Sequence, residues 1–269
     1  RIGSVDISQL NFVDTDVFPL RHYYYKVNIV TDAGQSEYSN EALGQVSDSM
    51  FTFNVDVPQA SVPVIDGILS AGEWDDAFKM DISDVYGYGG GVPVPQGSAF
   101  MYLKFDDNTD MLYIAGEDFL NPTLDGNEGL GLYFDDNNND VFDEDPPFLT
   151  EGNFWAYWHP AGADLRFRKI VGGAVGQVIT LSNAQVKFSD VSGHLQCEVA
   201  IPMGFMEGYQ LQIFGPDKIV GLGTFLIARQ AGLPVYHGYW PQTMNSLFNP
   251  IYFGDVKINV SLVAPPQPP

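Results

Sequence analysis

The stretch Phe100-Met-Tyr-Leu-Lys-Phe-Asp-Asp-Asn-Thr-Asp-Met-Leu-Tyr-Ile-Ala115 decides how the rest of the chain is read. Two short runs rich in aromatic and apolar residues flank a polar tract, the pattern of two strands joined tightly. Asp107-Asn108 supplies the hairpin turn, and Leu112, Tyr113 and Ile114 re-enter the core after it.

Similar runs follow at Gly129-Leu-Gly-Leu-Tyr-Phe134, Asn153-Phe-Trp-Ala-Tyr-Trp158, Gln177-Val-Ile-Thr-Leu181, Leu195-Gln-Cys-Glu-Val-Ala-Ile201 and Leu222-Gly-Thr-Phe-Leu-Ile-Ala228. Gly, Pro and Asp-Asn turns separate them, so the fold class is all-β, an antiparallel β-sandwich. A short helical turn is expected only at Met203 to Glu207, and there is no internal repeat. Alternating Phe51, Phe53, Val55 and Val57 mark residues 48–60 as the first strand of this domain, which spans 48–262. Residues 263–269 include Ala264-Pro-Pro-Gln-Pro-Pro269, a stiff extended linker of the kind that joins extracellular modules.

Residues 1–47 form a separate block. His22-Tyr-Tyr-Tyr-Lys-Val-Asn-Ile-Val30 alternates as a strand, Asp32-Ala-Gly-Gln35 turns, and Ser36-Glu-Tyr-Ser-Asn-Glu-Ala42 pairs back. With Phe12-Val-Asp-Thr-Asp16 before it, the block resembles the last strands of a fibronectin type III domain. Such a domain has about seven strands and this block holds about half of them, so its apolar face needs covering by a neighbouring subunit or by more of a longer chain.

Composition narrows the function. The 269 residues carry 34 acidic and 12 basic side chains, a net charge of −22, which opposes binding to nucleic acid or anionic lipid and favours cations. No apolar run reaches the ~18 residues of a membrane span. No signal peptide precedes Arg1, so a mature chain or an excised piece is expected. Many Gly and Pro, few Lys and an acidic surface suit a secreted or cell-surface protein. The lack of disulfides suits a bacterial one, since the single cysteine, Cys197, reads as a buried core thiol.

Four ordered segments resemble the family 9 carbohydrate-binding modules and their DOMON-like relatives. They are Val64-Ile-Asp-Gly67 with Glu73-Trp74 and Ala77, then Phe105 to Ala115, then Glu198-Val-Ala-Ile-Pro202, then Asn249-Pro-Ile-Tyr-Phe-Gly254. Read locally, Asp66-Gly67 is a turn after a strand and Trp74 a large ring plugging one end of the sandwich, its N–H in need of a partner. The resemblance implies a sugar held between two tryptophans, with an acidic and a basic ligand. The corresponding positions fall near Asp125 and Leu247, and near Gly131 and Trp155, where this chain departs from the pattern. Trp155, Trp158, Tyr239 and Trp240 form the alternative stacking platform.

Asp135-Asp-Asn-Asn-Asn-Asp-Val-Phe-Asp-Glu-Asp145 follows an apolar strand and needs a counter-charge. Asp136, Asn138 and Asp140 have calcium-loop spacing, but Val141 stands where an EF-hand has Gly, and Pro147 where it has Glu. A looser loop using Asp135, Asp136, Asn138, Asp140, Asp143, Glu144 and Asp145 is expected to hold structural Ca2+, as the resembled family often does.

Nothing singles out catalysis. His22, His159, His194 and His237 are scattered, and Cys197 has no base nearer than His194 on an alternating strand. No Lys-Ser/Thr follows Gly89-Gly-Gly91, which reads as a loop and not a phosphate cradle. The expected role is therefore a non-catalytic structural, assembly or adhesive unit of a larger surface protein, with calcium-stabilised loops. The alternative is a module recognising a polysaccharide or oligosaccharide. A remote one is haem binding as in some DOMON-like relatives, with Met101, Met111, His159 and His237 as conceivable ligands.

Overall fold

The computed structural model describes residues 4, 6, 22–45, 53–56, 61–87, 92–106, 108–109, 111–126, 128–142, 151–171, 173–181, 183–202, 219–230, 233–241, 248–250 and 253–259. Asp143, Glu144, Asp145, Met203 to Glu207, Gly89 to Gly91, Phe12 to Asp16 and the Pro-rich linker lie outside them. The chain divides into two compact units, Arg1–Phe51 and Thr52–Pro269.

In the first unit, β1 (His22–Tyr25) pairs antiparallel with β4 (Ala42–Gln45), and β2 (Val30–Thr31) with β3 (Gly34–Gln35). Together they make one long hairpin turning at Asp32-Ala33. Between the two ladders the Ser36 and Ser39 hydroxyls accept the amide protons of Ile29 and Val27. The Ser36 and Ser39 amides still donate to the Ile29 and Val27 carbonyls, so each hydroxyl takes only the return bond, and the arms are interrupted where the alternation alone predicts continuous strands.

The second unit is a two-sheet sandwich. The smaller sheet has the order β13-β14-β8-β7-β6, comprising Gln185–Val191, His194–Pro202, Met111–Asp118, Ala99–Asp106 and Phe78–Asp81. The larger runs β12-β11-β10-β9-β15-β17-β5: Ala174–Thr180, Gly162–Val171, Gly152–His159, Gly129–Asp135, Ile219–Gln230, Gly254–Asn259 and Phe53–Asp56. β16 (Leu233–Trp240) also pairs with β15, and β5 joins β17 in parallel, the one parallel pairing among the described strands.

Alternation decides which side chains meet between the sheets. Met101, Leu103, Ile114, Cys197 and Val199 from the smaller sheet pack against Leu130, Leu132, Phe134, Phe154, Phe167 and Leu226 from the larger. Cys197 is fully buried there, and burial pushes its thiol up to about 12. His194 projects from the opposite face of β14, where it meets Glu117 at 2.9 Å. Three positions along an alternating strand separate the two groups by a whole sheet, so His194 does not activate Cys197.

Residues 61–77 explain the leading sequence motif, and they correct its reading. Val64 and Ile65 form no strand, and Trp74 does not plug an end of the sandwich. The segment lies along the outer face of the smaller sheet, where Trp74, Ile65, Leu69 and Ala77 pack on Tyr102, Tyr113, Ala115 and Ala200. Glu198, fully buried on β14, anchors it. Oε1 accepts the Trp74 indole N–H at 2.8 Å, and Oε2 accepts the backbone N–H groups of Asp66 at 2.9 Å and Gly67 at 2.8 Å. Glu73 closes the loop by accepting from the amides of Val64 and Ser70. Lys104, also fully buried, donates to the Glu73 carbonyl at 2.6 Å and to Asp76 at 3.0 Å, and sits 4.9 Å from the Trp74 ring centroid. Gly67 has φ +90°, and a Cβ there would press on Ser189 and the Phe188 backbone, so the turn admits only glycine.

Because one carboxylate satisfies donors from two segments, its loss should be non-additive with that of Trp74. Glu198→Ala is expected to cost ~3 kcal/mol or more, by stranding buried donors, and Trp74→Phe less. In a urea-unfolding cycle with Glu198→Gln, the two sites should couple by about 1–2 kcal/mol. Additive single-mutant effects would contradict the anchor.

Candidate ligand-binding face

The outer face of the larger sheet is aromatic, unlike the usual polar exterior of a sandwich. Tyr133 of β9, Phe225 and Ile227 of β15 and Tyr239 of β16 form a second buried cluster with Phe142, Ile170 and Phe253, and Trp155 and Tyr236 are packed against it. Glycines on β9 make room for these rings. A Cβ on Gly131 would run into the Phe225 ring, and one on Gly129 would press on the Trp155 indole nitrogen.

Beyond this cluster, the β10–β11 hairpin carries a half-exposed ladder. The register pairs Asn153 with Arg168, Trp155 with Arg166, Tyr157 with Asp164 and His159 with Gly162. Each charged residue leans diagonally onto the β10 residue two places further along. The Arg168 guanidinium lies 3.8 Å from the Trp155 ring centroid, the Arg166 guanidinium 4.7 Å from that of Tyr157, and Asp164 meets His159 Nε2 at 3.6 Å. Arg168 Nε donates to Asn153 Oδ1 at 2.9 Å, and Nη2 to the Tyr133 hydroxyl at 3.4 Å. The Tyr157 hydroxyl donates to Asp164 at 2.7 Å. That bond, with Arg166 and His159 nearby, holds the Asp164 carboxyl below its ordinary range.

The four aromatics expected to make one platform do not come together. Trp155 and Trp158 are three residues apart on β10, and Tyr239 and Trp240 are adjacent on β16, so within each pair alternation sends the side chains to opposite faces. Trp240 is 6% exposed in the inter-sheet core and Tyr239 3% exposed in the outer cluster. Of the four, Trp155 alone stands on the ladder. Missing from the sequence reading were Asp164, Arg166 and Arg168, although Asp164-Leu-Arg-Phe-Arg168 alternates charged with apolar residues and so aims all three charges at one face.

At the end of β9 the acidic loop folds back on itself. Asp135 accepts the amides of Asn139 at 3.3 Å and Asp140 at 2.8 Å, while the Asn137 and Asn139 side chains accept amides two residues on. Asn138 and Asp140 adopt left-handed backbone, with φ 53° and 68°. Asp135, Asp136 and Glu151 are each at most 1% exposed. Burial raises the Asp135 pKa against the opposing amide bonds and a hydrogen bond with Glu151, which sequence reasoning missed because it precedes β10 in a different segment. The donor set is hard oxygen, which suits calcium. No group of three or more His, Cys, Asp or Glu among the described residues is arranged to hold a metal ion, and Asp143, Glu144 and Asp145 lie outside them.

The conceivable iron ligands are dispersed. Met101 is buried between the sheets, and His237 is buried against Asp118 with Nδ1 2.6 Å from Oδ2. Met111 packs on the outer face of the smaller sheet and His159 on that of the larger, so the four do not share a pocket.

No family model matches this chain, and no curated protein matches it in sequence. Among solved structures it is similar to a carbohydrate binding module family 9 (CBM9) from Caldicellulosiruptor kristjanssonii in complex with glucose. That match has a TM-score of 0.47 and 14% identity, covering 80% of this chain and 100% of that one. The fold assignment therefore rests on the strand registers and the shared core described above.

Proposed function

We propose that the second unit is a non-catalytic glycan-binding module of a secreted or cell-surface protein, and that its ligand lies along the β10–β11 ladder. One observation carries this reading: a half-exposed strip of sheet where Trp155 and Tyr157 stand among planar polar groups from Asp164, Arg166 and Arg168. The rings hold the charged groups in place, and such fixed planar donors and acceptors suit the hydroxyl pattern of a sugar.

A structural role for calcium belongs to the same proposal. The buried pair Asp135 and Glu151 would be neutralised by a divalent cation, with Asn138 as a further oxygen donor; this is supported by their burial and by the raised pKa of Asp135. The ion would supply charge compensation and no chemistry.

A second reading, assembly through the first unit, is favoured by its exposed apolar side chains. Tyr24, Val27, Ile29 and Tyr38 are each more than half exposed on the hairpin. Sedimentation of the full chain should then show concentration-dependent association. A chain monomeric at every concentration would remove this reading.

For the glycan site, Trp155→Ala and Tyr157→Ala should each weaken retention on insoluble polysaccharide about tenfold or more, with melting temperature monitored alongside. Unaltered retention by both folded variants would place the ligand elsewhere. For the cation, the sign follows from the raised pKa. Stability from protonated Asp135 is complete below its ordinary value of 3.8 and is lost as pH rises through the higher folded-state value. In EDTA, the stability lost in Asp135→Asn should therefore shrink as pH rises above about 4. Calcium should raise the melting temperature of the native chain at neutral pH and do little for the variant. Identical melting of the native chain in calcium and in EDTA would defeat the proposal.

A further inference from the structure

Both aromatic residues of the ladder are capped by guanidinium groups. Arg168 lies over Trp155 and Arg166 over Tyr157, so one face of each ring is covered by a guanidinium. A neutral polysaccharide gains most from an open ring face, and these two faces are already occupied. What remains for a ligand is the guanidinium layer, whose planar forks match a carboxylate or a sulfate.

The charges on this face are unevenly matched. Arg166 shares Asp164 at 3.4 Å with the Tyr157 hydroxyl and His159. Arg168 is half-buried, its hydrogen-bond partners are Asn153 and Tyr133, and among the described residues it has no carboxylate partner. Lys26, Lys104 and Arg166 each meet a carboxylate, whereas the hydrogen bonds of Arg168 are to neutral oxygens. Holding a partly desolvated guanidinium there carries a cost that an anionic ligand would offset.

We propose that the ladder recognises an acidic glycan, whose carboxylate or sulfate group pairs with Arg168 beside Arg166. This inference rests on the glycan-binding reading and names the class of sugar. The net charge of −22 repels a polyanion at long range, but beyond ~8 Å that repulsion is screened at physiological ionic strength. Retention of a polyanion by so acidic a chain therefore cannot come from bulk charge, and must come from a local cationic site.

The test is affinity electrophoresis of the full chain in gels containing polygalacturonate, dextran sulfate or a neutral β-glucan. Retardation by one or both acidic polymers, and little by the β-glucan, is expected, and the better acidic polymer tells carboxylate from sulfate. Arg168→Gln should weaken that binding by about 10- to 100-fold, the loss of a hydrogen bond between charged groups. Arg166→Gln should act in the same direction; its side chain is 43% exposed, so it reads out the site even if Arg168→Gln does not fold. Retardation by β-glucan equal to that by the acidic polymers, unchanged in both arginine variants but lost in Tyr157→Ala, overturns the acidic class and keeps the glycan site. No retardation by any of the three polymers overturns both.

Discussion

The Glu198 carboxylate is the constraint on which the arrangement of the second unit depends. It is fully buried on the outer face of the smaller sheet and accepts three hydrogen bonds from residues more than a hundred positions earlier in the chain. A buried charge is tolerated when its lone pairs are met, and here the donors come from an irregular segment that otherwise has no sheet to join. Burial still raises the Glu198 pKa despite those bonds. The group is thus a specificity device more than a source of stability: only one placement of residues 61–77 brings the Trp74 indole and the Asp66 and Gly67 amides to it together. Lys104 acts alongside, its ammonium held by the Glu73 carbonyl and by Asp76.

This anchor sorts the two outer faces of the sandwich by role. Over its central strands the smaller sheet is covered by its own chain, with Trp74 and Leu69 packed on Tyr102, Tyr113, Ala115 and Ala200. The larger sheet keeps a half-exposed strip at β10 and β11, where Arg166 and Arg168 stack on Tyr157 and Trp155 beside an aromatic cluster. Burying aromatic residues on the outside of a sheet requires close-packed neighbours, and Gly129 and Gly131 provide the space.

The legible parts of the fold were those set by local pattern. The hairpin from Phe100 to Ala115 is β7 and β8, paired from Ala99 opposite Asp118 to Asp106 opposite Met111. The buried place of Cys197 follows from its strand alternation. The motif at Asp66-Gly67 and Trp74 was visible, but its role was not, because its partner Glu198 is distant in sequence and no local rule joins them. The aromatic platform failed for a similar reason: Trp155, Trp158, Tyr239 and Trp240 are conspicuous by type, while the face each occupies depends on strand phase.

By itself, then, the sequence determined an all-β chain with a buried thiol, an acidic surface and an Asp-rich loop after β9, since periodicity, turn residues and charge are properties of short segments. Tertiary structure alone decided which side chains share a face. It set Asp164, Arg166 and Arg168 over His159, Tyr157 and Trp155, buried Asp135 against Glu151, and withdrew Tyr239 and Trp240 into packed clusters. The physical reason is register: cross-strand neighbours are fixed by pairing between distant segments, and a shift of one residue would exchange the two faces of a strand.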